Sequence, residues 1–188
     1  MEFITLANKD STNLVKDVLI HPLKVNRDES GILVETLRTD WKEIYGKNRE
    51  FAMQYFSVTK SGIARDETVW HYHPKQEDRF LVARGEIVAA VADNRQNSKT
   101  FGLLNLFHMK ADTDPFMLLI PKGTLHGFLV VSHTSSVLLN FPTSLYNPSE
   151  EQRLSYDKAK IKNSEGSLFA WDQVRSQFGL RATSNGKI

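Results

Sequence analysis

The residues best placed to do chemistry lie in one short stretch, Trp70-His71-Tyr72-His73-Pro74-Lys75-Gln76-Glu77-Asp78. Side chains alternate faces along a strand, so His71 and His73 share one face while Trp70 and Tyr72 take the other. Four residues separate His73 from Asp78, enough for a tight turn and the start of the next strand. Two imidazoles and a carboxylate are thereby brought to one cavity. Histidine exchanges protons near neutrality and, when neutral, ligates metals, so the cluster predicts either a proton-transfer pair or a metal clamp. Asp78 has a simpler alternative, pairing with Arg79 or with a turn amide. His21, His108 and His133 have no such company and read as ordinary polar residues.

The elements around this stretch are short and β-rich. Gly31 to Leu37 reads as a strand opened by an Asp-Glu-Ser-Gly turn, and Trp41 to Tyr45 as one or two helical turns. Phe51 to Thr59 alternates so that Met53, Tyr55 and Ser57 oppose Gln54, Phe56 and Val58. Further strands are expected over Glu67 to His73, Arg79 to Val82, Ile87 to Ala92, Phe101 to Met109, Phe116 to Ile120, His126 to Val131 and Ser136 to Phe141. Turns fall at Arg84-Gly85-Glu86 and Pro121-Lys122-Gly123, and a polar loop at Asp93 to Lys99. Many short strands between turn signals predict an all-β sandwich or barrel. Residues 1–20 read as an arm or edge strand, 21–148 as the barrel, 149–183 as a helical extension with its helix over Glu150 to Lys160, and 184–188 as a solvated tail.

A chain of 188 residues builds one core. Its net charge of +2, with both signs interspersed, makes no basic face for nucleic acid. No apolar run reaches membrane-spanning length and no secretory leader is apparent, so a cytoplasmic location without membrane partners is expected. With no cysteine, any metal must rest on imidazole and carboxylate ligands.

The spacing His71-x-His73-x4-Asp78-x6-Gly85, followed by Pro121-x-Gly123-x2-His126, resembles the two motifs of the cupin superfamily, whose members are jelly-roll barrels. In that pattern both histidines and the acid of the first motif converge with the histidine of the second. Asp78 stands here where glutamate is usual, and Val130 where asparagine is common. A closer resemblance, from about Arg27 to Trp171, is to the dTDP-4-dehydrorhamnose 3,5-epimerases. It is carried by Trp70-His71-Tyr72, Gly85-Glu86, Asp93-Asn94-Arg95, Ser98 to Gly102, Ile120 to Gly123, His126-Gly127-Phe128 and Tyr146 to Glu151. That resemblance implies a homodimeric jelly-roll cupin acting without a cofactor on a nucleotide-linked 4-keto sugar. In the family a histidine removes the proton beside the ketone, polar groups hold the enolate, and a tyrosine returns a proton from the opposite face. His71 falls on the base, and His126 near the keto-sugar end. Glu35, Gln54 and Tyr146 fall on substrate-contacting positions. Their alternatives are an ion pair, an interior hydrogen bond and a packed aromatic.

Several positions depart from that pattern. Asn140 stands where the family carries its acid tyrosine, and an amide is no comparable proton donor. Thr68 replaces an arginine, His73 a glutamine and Asp78 a lysine. These changes restore the residue types of a metal-binding cupin, so an alternative reading makes His71, His73, Asp78 and His126 the ligands of Mn, Fe, Ni or Zn. In a third reading His71 and His73 resemble the acid–base pair of the sugar-nucleotide 3,4-ketoisomerases. A fourth is a non-catalytic sugar-binding cupin. Trp171-Asp172 resembles the family's C-terminal tryptophan, and Asp172 is the acid that the resemblance offers for orienting His71.

Overall fold

The computed structural model describes residues 1–182. Its strands are β1 (Leu19–Pro22), β2 (Val25–Asp28), β3 (Gly31–Val34), β4 (Tyr55–Thr59), β5 (Ala64–Arg65), β6 (Val69–Tyr72), β7 (Asp78–Arg84), β8 (Glu86–Ala92), β9 (Leu104–Lys110), β10 (Phe116–Ile120), β11 (Leu125–Val130), β12 (Ser136–Asn140) and β13 (Gln152–Ser155). Three short helices accompany them, α1 (Lys42–Tyr45), α2 (Tyr156–Ala159) and α3 (Trp171–Gln177). One sheet runs β1-β10-β7-β12-β4; the other runs β13-β6-β11-β8-β9, with β5 also paired to β11. The β2–β3 hairpin stands apart as a two-stranded sheet. This is the expected all-β jelly roll.

Three apolar layers hold it together. Between the sheets, Ile87, Ala89, Val91, Phe107, Phe128 and Val130 meet Phe80, Val82, Phe116, Leu118, Ile120 and Leu138. The alternate residues of β8, Val88, Ala90 and Ala92, face outward and are covered by Ile161, Phe169, Trp171 and Val174. That cover explains why β8 is apolar on both faces rather than alternating. On the outer face of the first sheet, Leu81, Met117, Leu119 and Phe141 pack under Leu23, Ile44 and Tyr45. Fully buried Arg79 ties this layer down: it donates through Nε to Ile44 O at 3.0 Å, through Nη1 to Phe141 O at 2.8 Å and through Nη2 to Arg49 O, with its guanidinium 4.4 Å from the Tyr45 ring centroid.

Two turns set the site. Gly85, between β7 and β8, has φ +78°, and a Cβ there would lie 2.7 Å from Ser132 Oγ and 3.2 Å from Ser136 Cα. Gly123, φ +76°, donates its N–H to His73 O at 2.7 Å. This bond joins the turn before β11 to the loop after β6, bringing both histidine motifs to one end of the barrel. In the polar loop, buried Asp93 accepts from Arg95, Ser98 and Thr100. The Asp93-Asn94-Arg95 segment is therefore a loop brace.

Some expectations shift. The helix expected over Glu150 to Lys160 is instead β13 followed by the single turn α2. Register with β6 wins: Leu154 pairs with Trp70 and Arg153 with His71. The longer helix, α3, lies farther on. The N-terminal arm bridges Phe107 through Ile4 before β1 joins β10. The strands expected from Gly31 and from Phe51 are shorter, at Gly31–Val34 and Tyr55–Thr59. The expected tail at 184–188 lies outside the described residues. No helix among the described residues is long and apolar enough to cross a membrane.

Candidate active site

His71 and His126 are partners in register on β6 and β11, which aims both imidazoles between the sheets. His73, just past the end of β6, joins them. Ring centroids lie 4.7 Å apart for His71–His73, 5.3 Å for His71–His126 and 5.8 Å for His73–His126. Asp78, the first residue of β7, approaches from the facing sheet. Its Oδ2 lies 3.2 Å from His126 Nε2 and 3.4 Å from His73 Nε2. Its Oδ1 accepts from Gln76 Nε2 at 2.9 Å and from Asn140 Nδ2 at 3.0 Å. Arg79 points to the opposite face of β7, so the simpler pairing of Asp78 with Arg79 does not occur. His71, His73, Asp78 and His126 line a cavity of about 310 Å³ together with Tyr55, Ser57, Arg65, Asp66, Phe80, Glu151 and Arg153, a volume at the lower end for small-molecule sites.

The electrostatics single out Asp78 and His73. Burial alone would raise the Asp78 carboxyl, but the hydrogen bond to His126, the neighbouring imidazoles and the Asn140 amide outweigh it, and the group is held below the usual carboxylate range. Burial pushes His73 down, toward the neutral imidazole, against the pull of Asp78. Its Nδ1 lies 3.0 Å from Glu150 O. Since a carbonyl can only accept, a neutral His73 keeps its proton there and leaves Nε2 with a lone pair.

His71 is oriented differently. Its Nδ1 lies 3.7 Å from Asp66 Oδ2, and its Nε2 is buried with no hydrogen-bond partner. Contact with His71 holds the Asp66 carboxyl below its ordinary value, and nearby Arg153 adds to this. An ionised carboxylate beside Nδ1 favours the proton on that nitrogen and the lone pair on Nε2. Nε2 then has no protein donor to satisfy it, and its lone pair is available to a ligand atom or a cation. One ligand atom from each of His71, His73 and His126 lies within 4.8 Å of the others, a span compatible with a common ion. Asp78, engaged at both oxygens by Gln76, Asn140 and His126, braces His126 more than it faces that point.

Of the residues expected at the site, His71, His73, Asp78, His126 and Asn140 come together. Glu35, Gln54 and Tyr146 do not line this cavity. Glu35 forms an ion pair with Arg38 at 2.9 Å, and Tyr146 is 68 % exposed. Gln54 has the wrong alternation phase: the face of β4 that lines the cavity carries Tyr55 and Ser57. Asp172 does not reach His71 either; it pairs with Arg175 at 2.7 Å, and Asp66 takes the orienting place. Sequence reasoning missed Tyr55, Arg65, Asp66 and Arg153. Tyr55 was legible from the alternation, whereas Arg153 was hidden by reading β13 as helix.

Comparison with known proteins agrees with this architecture. Residues 12–176 match the family described as dTDP-4-dehydrorhamnose 3,5-epimerase. The chain is 36% identical over 146 residues to the "probable low-salt glycan biosynthesis epimerase Agl13" of Haloferax volcanii, covering 76% of this chain and 89% of that protein. It is 30% identical over 150 residues to the spore coat polysaccharide biosynthesis protein SpsL of Bacillus subtilis, covering 79% and 94%. The crystal structure of a dTDP sugar isomerase from Desulfovibrio desulfuricans G20 superposes with a TM-score of 0.71 at 22% identity, covering 84% of this chain and 92% of that one, which speaks to the fold. A match over most of the chain, a relative above 30% identity and a shared jelly roll lead to one conclusion: the chain belongs to the dTDP-4-dehydrorhamnose 3,5-epimerase family, a family of isomerases.

Proposed function

We propose that the protein is an epimerase of a nucleotide-linked 4-keto sugar, working by proton transfer beside the ketone with His71 as the base. The observation that carries this reading is the state of His71: Asp66 at one nitrogen, and the other buried without a partner. Removal of a carbon-bound proton needs such a lone pair, held in one tautomer by a carboxylate. His126, with Nε2 on Asp78 Oδ2 and Nδ1 toward Thr124 O, braces the floor of the cavity beside His71. Arg65 and Arg153 line the same cavity. They offer the cationic contact to a diphosphate that Thr68 cannot. The family name and the dTDP-bound relatives support a nucleotide sugar as the ligand.

The second reading, a divalent ion on His71, His73 and His126, is favoured by their 4.8 Å grouping and by the same unpartnered Nε2. One experiment separates the two. Incubated with dTDP-4-dehydrorhamnose in deuterated water, the protein is expected to exchange the protons beside the ketone at a rate unchanged by exhaustive chelation. His71→Ala is expected to lose roughly two to four orders of magnitude of that rate. Absence of exchange on dTDP- and UDP-linked 4-keto-6-deoxyhexoses would sink the epimerase reading, and exchange abolished by chelator and restored by one metal would shift the assignment to the second.

A further inference from the structure

We infer that Tyr55 is the group that returns a proton to carbon, so that this chain carries its acid on β4 instead of β12. The inference rests on the function proposed above. It starts from Asn140, whose amide cannot replace the phenol that the family resemblance implies at that position. In register, however, Asn140 pairs with Tyr55 of the neighbouring strand, and a phenol is thereby restored to the cavity from one strand over. Asn140 Nδ2 lies 2.9 Å from the Tyr55 hydroxyl.

The direction of that hydrogen bond decides what the phenol can do. Asn140 Oδ1 accepts from the backbone N–H of Arg79 at 3.0 Å, and one Nδ2 hydrogen goes to Asp78 Oδ1 at 3.0 Å. A backbone N–H can only donate and an ionised carboxylate can only accept, so both partners orient the amide the same way. Its second hydrogen is therefore the one directed at the Tyr55 oxygen. That oxygen accepts, and the phenol's own hydrogen must point elsewhere than Asn140, with the cavity that Tyr55 lines open to it. Burial, then the negative charge of Asp78, raise the phenol's pKa, which keeps the proton on it until it is needed.

Placement supplies the stereochemistry. His71 stands on β6 of one sheet and Tyr55 on β4 of the other, so a sugar ring between the sheets meets base and acid from opposite sides. In the step, His71 Nε2 takes the proton from the carbon beside the ketone, and the C–H electron pair becomes the enolate. The enolate carbon then takes the Tyr55 hydroxyl proton from the other face, leaving a phenolate. The Asn140 N–H already directed at that oxygen stabilises the phenolate, which makes Asn140 a positioning residue. Half-exposed Tyr55 regains its proton from water and His71 releases its own, so no proton is gained or lost overall.

The test uses dTDP-4-dehydrorhamnose in deuterated water and reads two quantities, isotope exchange beside the ketone and inversion at the same carbons. Tyr55→Phe is expected to keep exchange within a few-fold of the unsubstituted protein while inversion falls about a hundredfold or more. A purely structural role for the hydroxyl would lower both together. Fluorotyrosine incorporated at position 55 gives a second readout, since the more acidic phenol is expected to move the basic limb of the inversion pH profile downward. Inversion by Tyr55→Phe near the original rate, parallel loss of exchange and inversion, or an unmoved basic limb would each overturn the inference alone, whereas exchange without inversion in the unsubstituted protein would overturn the proposed epimerase function together with it. Absence of exchange in the unsubstituted protein would overturn the proposed function and this inference with it.

Discussion

At the scale of single residues, the site is organised by carboxylates that hold imidazoles: Asp66 beside His71, and Asp78 against His126. Asp78 also carries a pH signature. Its folded-state carboxyl sits below the ordinary value, so the native state binds fewer protons than the unfolded chain through the carboxylate range. The resulting stabilisation is complete above the unfolded pKa and declines as pH falls below about 5. Asp78→Asn is expected to lose about 1–3 kcal/mol at neutral pH by leaving imidazole contacts unmatched, and to flatten the acid limb of a plot of urea midpoint against pH. Identical acid limbs in both proteins would contradict this. Much of this residue-level picture was legible in the sequence, because His71-x-His73 needs only strand periodicity to place it and Asp78 and His126 lie at motif spacing. Asp66 was not legible: it reaches His71 because its own φ is +62° in the turn between β5 and β6, and periodicity does not report turns of that kind.

At the scale of elements, most strands followed from apolar runs and turn residues, so Phe116–Ile120 appears as expected and the other expected strands within a few residues, whereas the polar β2 and the two-residue β5 carry no such run and were not among them. The stretch after Pro148 misled because Glu, Lys and Arg suit a helix surface, whereas Gln152–Ser155 is an edge strand whose place is set by long-range pairing with β6. Helix α3 shows what the C-terminal part does for the site. Buried Arg175 donates to Gly62 O at 3.0 Å, to Glu67 through two bonds at 2.8 and 2.6 Å and to Asp172 at 2.7 Å. It clasps the segment that carries Arg65 and Asp66 into the cavity. Arg175→Ala is expected to cost about 2 kcal/mol or more and to slow isotope exchange by loosening Asp66. Arg175→Lys recovers only part, since the forked contact to Glu67 is lost. Thermal unfolding is the check, and an unchanged midpoint for the alanine variant would show that the clasp is not holding the helix.

At the scale of the whole molecule, the sheet that carries Asp78 and Asn140 ends at β4, an edge strand whose outer face exposes Phe56 and Val58. Ile32 and Leu33 of the β2–β3 hairpin are exposed as well. Open edges with apolar side chains are where chains pair, which fits the homodimer that the family resemblance implies. Sedimentation equilibrium is expected to give the mass of two chains, and Phe56→Lys with Val58→Glu to shift it toward one; a single-chain mass for the unsubstituted protein at micromolar concentration would refute this. The position of Tyr55 adds a kinetic consequence. A phenol borne by a strand with one sheet neighbour is held no more steadily than that strand, and the steadiness depends on what covers Phe56 and Val58. If a second copy supplies the cover, inversion per active site becomes a function of total protein concentration, falling on dilution through the association constant, while proton removal by His71, seated inside the other sheet, holds its rate.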